Sequence, residues 1–321
     1  MKTILTAITP SGHPHIGNYF GAIKPAIEFN NDEKNKTIVF IADIHSLTSL
    51  KDASIRKNNI YSVLASFIAL GFDYDKNILF KQSDVSYHGE MMFYLSCSTP
   101  YTLLTGSHAF KEKSESLPDV NVGLFTYPVL MASDILLYDT DFVPVGKDQK
   151  QHMEITRDIA QKFNNDYGKV FKLPESYVIE SQMIVPGIDG RKMSKSYNNY
   201  IDPFENEKKL RKTINRIVTD SKTPDEPKDP VKCNVYKLYS LFASEDEKIE
   251  MINKYYSGIS YSEVKSKLFE KVMDHFSKSR VEYDKIINDY SFMDEVLKIG
   301  KDKAQSIASK KIEQVKIKMG L

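Results

Sequence analysis

Thr37-Ile38-Val39-Phe40-Ile41-Ala42 carries no charge, is dominated by β-branched and aromatic side chains, and ends at Asp43. A strand that is apolar at every position, rather than at every second one, has both faces buried, as happens where helices cover both sides of a parallel sheet. The same strand signal stands upstream at residues 2–8, followed by a helix from about Asn18. Downstream, Ile60, Val63, Leu64, Phe67 and Ile68 recur at helical spacing in a helix over residues 54–70, and a further strand follows at 77–80. Strands alternating with helices mean βαβ units, so the class is α/β with a doubly wound parallel sheet.

Beyond Pro203 the Val/Ile runs fade. Val264, Leu268, Val272 and Phe276, then Met293, Val296, Leu297, Ala304, Ile307, Ala308, Ile312 and Val315, keep helix periodicity. The expected organisation is an α/β domain with a helical insertion over residues 1–203 and a helical domain over 204–321. Lys222-Thr223-Pro224-Asp225-Glu226-Pro227-Lys228-Asp229-Pro230, with its three prolines, reads as a separate exposed loop.

The 321 residues are 41% hydrophobic and 27% charged, an ordinary globular composition. Lys and Arg number 44 against 43 Asp and Glu, so no global field announces a polyanion and any such partner is met locally. The balance is 20 basic to 23 acidic through residue 204 and 24 to 20 beyond it. Cys97 and Cys233 have no Cys-x-x-Cys or His companions, which argues against a disulfide framework and structural zinc, and for a reducing cytoplasm. The apolar start is interrupted by Thr3 and Thr6 and stops at Thr9-Pro10-Ser11-Gly12, as in a buried strand rather than a leader. No apolar run approaches the roughly 20 residues of a membrane span.

Thr9-Pro10-Ser11-Gly12-His13-Pro14-His15-Ile16-Gly17-Asn18 follows the first strand and opens a helix, where an α/β fold presents free backbone N–H groups to an anion. Gly12 and Gly17 have P-loop spacing, but Asn18 replaces the lysine, and no Gly-x-Gly-x-x-Gly occurs. A satisfied turn and an anion site both remain open. Lys192-Met193-Ser194-Lys195-Ser196 follows the irregular Pro186-Gly187-Ile188-Asp189-Gly190-Arg191. Two ammonium groups three residues apart, with hydroxyls between, suit the charge that grows on a leaving phosphate chain, although an isolated basic loop is more often only solvated.

Tyr127, Met131 and Asp134 fall at i, i+4 and i+7, one stripe of an otherwise apolar helix. A carboxylate in those surroundings needs a donor, because an unpaired buried charge costs several kcal/mol. An internal Lys or Arg and a ligand group are the two alternatives.

His15-Ile16-Gly17-Asn18 together with the lysine segment resembles the paired signatures of the class I aminoacyl-tRNA synthetases. Ala42-Asp43-Ile44-His45-Ser46-Leu47-Thr48, Tyr127-Pro128-Val129-Leu130-Met131-Ala132-Ser133-Asp134-Ile135-Leu136-Leu137 and the run from Val143-Pro144-Val145-Gly146-Lys147-Asp148-Gln149-Lys150-Gln151-His152 to Ala160 narrow the resemblance to the tryptophanyl-tRNA synthetase family. It extends from residue 2 to beyond 200, more weakly into the helical part. It implies a Rossmann-like catalytic domain, an α-helical anticodon-binding domain, and a homodimer whose substrates are tryptophan, ATP with Mg²⁺ as one complex, and a cognate tRNA, with no permanent metal, no membrane and no DNA. Asp134 would accept the indole N–H, with Tyr127, Met131, Val143 and His45 as walls and Gln149 at the ammonium group. ATP contacts would come from Thr9, Pro10, Ser11, Gly17, Asn18, Gly146, Lys147, Asp148, Met183 (Ile184 if the register slips by one), Lys192, Met193, Ser194, Lys195 and Ser196. Gly17, Asn18, Lys192, Ser194 and Lys195 would bear on the chemistry. His152 and Glu154 are read as cap and helix surface. The chain departs from the family pattern at Leu5 (often Phe), Thr9 (often Gln) and Tyr197 (often Asp). Tyrosyl-tRNA synthetase and a non-enzymatic paralogue are the alternatives, and the segments around Asp134 and Gln149 favour tryptophan. The chain contains no tryptophan itself.

Overall fold

The computed structural model describes residues 1–106, 120–146, 149–178 and 185–321. Five parallel strands, β1 (Lys2–Ile8), β2 (Asn35–Ile41), β3 (Ile78–Lys81), β4 (Phe142–Val145) and β5 (Glu175–Val178), form one sheet in the order β3-β2-β1-β4-β5. Ile4 is the hinge of the register, opposite Thr37 on one side and Phe142 on the other. Connections therefore leave β1 in opposite directions, which opens a crevice outside the carboxyl ends of β1 and β4.

The helices used below are α1 (Ala53–Ala69), α2 (Tyr87–Ser98), α3 (Val122–Leu136), α4 (Lys150–Tyr167), α5 (Glu207–Asn215), α6 (Glu245–Ser257), α7 (Tyr261–His275), α8 (Ser277–Ile286) and α9 (Tyr290–Met319). Two compact units divide the chain: Met1–Ser11, Lys24–Ser181 and Asp289–Leu321 in the first, Gly12–Ile23 and Gln182–Asn288 in the second. A single linear cut near Pro203 does not follow these units, because the apolar face of α9 belongs to the first.

In the first unit Ile38 and Phe40 from β2, Ala42 just after it, Phe80 from β3 and Val143 and Val145 from β4 pack with Val129, Ile135 and Leu136 of α3 and with Ala304, Ala308 and Ile312 of α9. Local signals set the helix ends: the Asp52 carboxylate accepts from Ser54 N and Ile55 N at the start of α1, and Asn121 accepts from Leu124 N at the start of α3. Where α9 crosses the edge strand β3, Gly300 lies so close that a Cβ there would overlap the Leu79 carbonyl, 2.6 Å from its carbon. Gly300→Ala must therefore push the helix off the strand, at about 2 kcal/mol for overpacking. The expected result is a melting temperature lower by about 5 °C, with Lys301→Ala unchanged as the control.

The second unit buries Leu210 and Ile214 of α5, Val264, Leu268 and Val272 of α7, and Tyr283 of α8, on which Phe204 stacks at 4.2 Å. Residues 222–230 are not wholly exposed: Lys228 is 2% exposed and donates to the carbonyls of Thr223, Pro224 and Glu226 at 2.6, 3.1 and 2.9 Å. One ammonium group thus gathers the proline-rich loop around itself. The helix expected from Asn18 is a turn at Ile16–Asn18, a π-helical segment at Tyr19–Ile23 and a helix at Lys24–Asn30. β5 was not foreseen: its residues Glu175, Ser176 and Tyr177 are exposed, as on an edge strand, and give no apolar run.

Candidate active site

The crevice of the first unit holds a cavity of about 120 Å³ beside β1 and β4. All six side chains expected to meet tryptophan line it: Tyr127, Met131 and Asp134 from α3, His45 from the short helix Asp43–Ser46, Val143 from β4, and Gln149. Leu5 and Thr9, two of the departures from the family pattern, stand on the same wall.

Asp134 is 2% exposed, and its donors are neither a Lys nor an Arg. Oδ1 accepts from Gln82 Nε2 at 2.7 Å and from His88 Nδ1 at 2.6 Å, while Oδ2 accepts from His45 Nε2 at 2.8 Å. The carboxylate is therefore already paired within the protein, and His45 is a donor as well as a wall. Burial works to raise the Asp134 pKa, but the hydrogen bonds from His45 and His88, helped by their charge when protonated, bring it below the ordinary carboxylate value. The group is an acceptor at neutral pH. Gln82 follows β3 in the turn Gln82–Asp84 and His88 opens α2, so neither shares a local pattern with Asp134. His88 Nε2 meets the Tyr138 hydroxyl at 2.8 Å.

Gln149 Oε1 and His152 Nδ1 lie 2.8 Å apart, and the Tyr127 ring lies 4.6 Å from His45 and 5.5 Å from His152. His152 is thus buried on the cavity side of α4 rather than on the helix surface, because its ring packs on Tyr127. At the end of β1 the Pro10 carbonyl accepts from Asn59 Nδ2 at 3.0 Å, and Ser11 N donates to the Thr9 carbonyl at 2.8 Å. Gly146 accepts from Gln149 N at 3.0 Å. Lys147, Asp148, Met183 and Ile184 lie outside the described residues.

The second unit brings the two signature segments together. Asn18 N donates to His15 Nδ1 at 3.2 Å and the Asn18 Oδ1 accepts from His15 N at 3.1 Å, a reciprocal cap. With Nδ1 accepting, the ring proton sits on Nε2. Burial, reinforced by the Lys195 charge, lowers the His15 pKa to about 3, so this imidazole is neutral. Ile16 N donates to the Ile201 carbonyl at 3.0 Å, Met193 packs against the bare face of Gly17, and Lys195 Nζ donates to the Gly12 carbonyl at 2.7 Å. Burial lowers the Lys195 pKa to about 8, against the opposing pull of Asp202. Ser194 Oγ accepts from Ser196 N and caps the turn Lys195–Tyr197. Asn199, which sequence reasoning passed over, organises the segment: its Oδ1 accepts from Ser194 N at 2.7 Å and its Nδ2 donates to Asp189 at 2.7 Å and to the Lys192 carbonyl at 3.1 Å.

A parallel sheet with a crevice at its topological switch, an amino-acid-sized cavity there, and a neutral histidine turn joined to a lysine turn define a nucleotide-dependent ligase of the class I synthetase kind. The chain belongs to that family: the model for tRNA synthetases class I (W and Y) matches residues 1–277. Its relatives include the tryptophan–tRNA ligases of Fusobacterium nucleatum subsp. nucleatum, 45% identical over 100% of this chain and 98% of that protein, and of Campylobacter jejuni strain RM1221, 44% identical over 99% of each. Among solved structures, the Campylobacter jejuni tryptophanyl-tRNA synthetase complexed with ADP and tryptophan superposes with a TM-score of 0.93 at 44% identity, covering 99% of this chain and 100% of that one.

Proposed function

We infer that this chain activates L-tryptophan with ATP and transfers it to the 3′-terminal adenosine of its cognate tRNA. Full-length relatives at 44–45% identity carry the same reaction in their names. In the first step a carboxylate oxygen of tryptophan attacks the α-phosphorus of ATP, the bond to the β,γ-diphosphate breaks, and tryptophanyl-adenylate remains with pyrophosphate released. In the second a ribose hydroxyl of the tRNA displaces AMP. No protein nucleophile takes part, so the rate comes from alignment and from donors placed where negative charge grows.

The observation that carries the choice of amino acid is the cavity in which an ionised carboxylate, held by three internal donors, stands among Tyr127, Met131 and Val143. A buried acceptor that phenylalanine would leave unpaired penalises that substrate strongly. The aromatic ring and thioether are assigned to the faces of the indole, and Gln149 to the ammonium group. ATP contacts are assigned to Thr9, Pro10, Ser11, Gly146, Lys147, Asp148 and Met183, and to Gly17, Asn18 and residues 192–196. Mg²⁺ is assigned to the substrate complex, where phosphate oxygens are its natural hard ligands.

Helices within residues 204–321 are assigned to the tRNA, with Lys208, Lys209, Arg211, Lys212 and Arg216 along and just beyond α5. Unpaired anticodon bases are read by stacking and edge hydrogen bonds, so the modest net charge suffices. A homodimer is proposed on the family's example, supported by the large apolar groups that Phe93, Tyr101 and Val122 expose on the first unit. Among the described residues no helix is long and apolar enough to cross a membrane, and a cytoplasmic setting is part of the proposal.

Exchange of labelled pyrophosphate into ATP, measured without tRNA across all twenty amino acids, tests the reading. Exchange with tryptophan alone is expected. Exchange with tyrosine would overturn the pocket, and none with any amino acid would favour the non-enzymatic paralogue.

A further inference from the structure

We propose that Gln82 and His88 are positioning residues for amino-acid selection: by filling Asp134 Oδ1 they turn the remaining place on Oδ2 into the single feature that reads the ring N–H of tryptophan.

A carboxylate oxygen has two lone pairs. Oδ1 uses both, on Gln82 Nε2 and His88 Nδ1, whereas Oδ2 meets only His45 Nε2 among the described residues. One acceptor place is left on a carboxylate that lines the cavity. The two Oδ1 donors come from different elements, the turn after β3 and the first turn of α2, so the carboxylate of α3 is clamped from outside its own helix. His88 is itself fixed. Its backbone carbonyl accepts from Ser133 Oγ at 2.7 Å, and its Nε2 meets the buried Tyr138 hydroxyl at 2.8 Å. With the phenol donating to Nε2, the imidazole proton lies on Nδ1 and points at Asp134. The chain of hydrogen bonds then runs one way, from Tyr138 through His88 to Oδ1. The Gln82 amide cannot reverse without setting its oxygen against the carboxylate.

The consequence is chemical. Held by these donors, Asp134 stays ionised and can only accept. A ring lacking the N–H leaves a buried anion short of a donor, the costly case for a desolvated polar group. Without the clamp, Oδ1 is free to take a proton or to turn, and a protonated Asp134 no longer distinguishes an N–H from a ring atom that cannot donate. Gln82 and His88 therefore act on selection through Asp134 and touch no substrate themselves.

The inference rests on tryptophan being the substrate, and its test separates the two. Pyrophosphate exchange is measured with tryptophan and with benzothienylalanine, in which sulfur replaces the ring N–H, for the parent enzyme and for His88→Leu, Gln82→Leu, His88→Asn and Tyr138→Phe. In His88→Leu and Gln82→Leu the preference for tryptophan in kcat/KM should fall by about tenfold or more, the size of one buried unpaired group. The change should lie in KM, and kcat at saturating tryptophan should stay within about threefold, since uniform binding is what is lost. His88→Asn, whose amide returns a donor near the Nδ1 position, should recover most of the preference, and Tyr138→Phe should lose less than His88→Leu. Gln82→Leu keeps the test alive if His88→Leu does not fold. An unchanged preference in variants shown folded by circular dichroism, or equal damage by His88→Asn and His88→Leu, would overturn the inference alone. A parent that exchanges with no tryptophan would overturn the substrate reading and this inference with it.

Discussion

Asp134→Ala should lower kcat/KM for tryptophan in pyrophosphate exchange by about 10³-fold, the equivalent of about 4 kcal/mol for breaking a buried charge-assisted pair. The change removes the acceptor proposed for the indole, and it also strands Gln82, His88 and His45, whose N–H groups converge on that carboxylate. Part of the loss must therefore appear as stability, with a lower melting temperature in the absence of any substrate. Asp134→Asn is not a mild alternative. Its amide presents two N–H bonds where at least one internal donor already points, so a donor must face a donor, and about a 10²-fold loss is expected. Parallel exchange assays and thermal melts separate the two contributions. A fully active Asp134→Ala would remove the carboxylate from the site altogether.

Lys195→Ala should reduce kcat for exchange by about 10² to 10³-fold, the usual size of one donor aimed at developing charge. Tryptophan binding, followed by equilibrium dialysis, should be unchanged, because the residues that line the cavity do not include Lys195. The pH profile carries the sharper signature. In the free enzyme burial lowers the Lys195 pKa to about 8, so the ammonium is lost as pH rises through that value. Since kcat/KM reports the free enzyme, its value for ATP should be level below pH 8 and fall about tenfold per unit above it. Lys195→Arg, which keeps its charge, should remove that limb whatever it does to the plateau. The linkage to folding has the opposite sense. A folded pKa below the unfolded one means that the buried ammonium opposes folding in full below pH 8, and that this opposition is relieved between 8 and about 10.5.

The segments that decide the fold are legible because each announces itself locally. The apolar run 37–42 can only be a doubly covered strand, and the stripe of Tyr127, Met131 and Asp134 places three cavity residues by helix geometry alone. Gln82 and His88 give no such signal: each is a polar residue at the mouth of its own element, and only the packing of α2 and β3 beside α3 brings them to one oxygen. Asn199 is silent for the same reason, since an amide serving three backbone and side-chain partners looks like any loop asparagine. β5 is hidden by its exposed, polar residues. Periodicity shows that residues 290–319 form a helix with one apolar face, but it does not say which surface receives that face.

The placement of α9 has a consequence for the order in which the protein comes off the ribosome. Among the described residues the edge of β3 faces no further strand, and α9 is what covers it, with Gly300 seated on the Leu79 carbonyl. That helix is translated after residues 182–288, so the nascent chain carries an uncapped strand edge while those residues are made. An open edge invites pairing with a neighbouring chain. Until residues 290–319 have been made, that edge is therefore open to self-association, and the helix that closes it is a folding safeguard as well as a packing element.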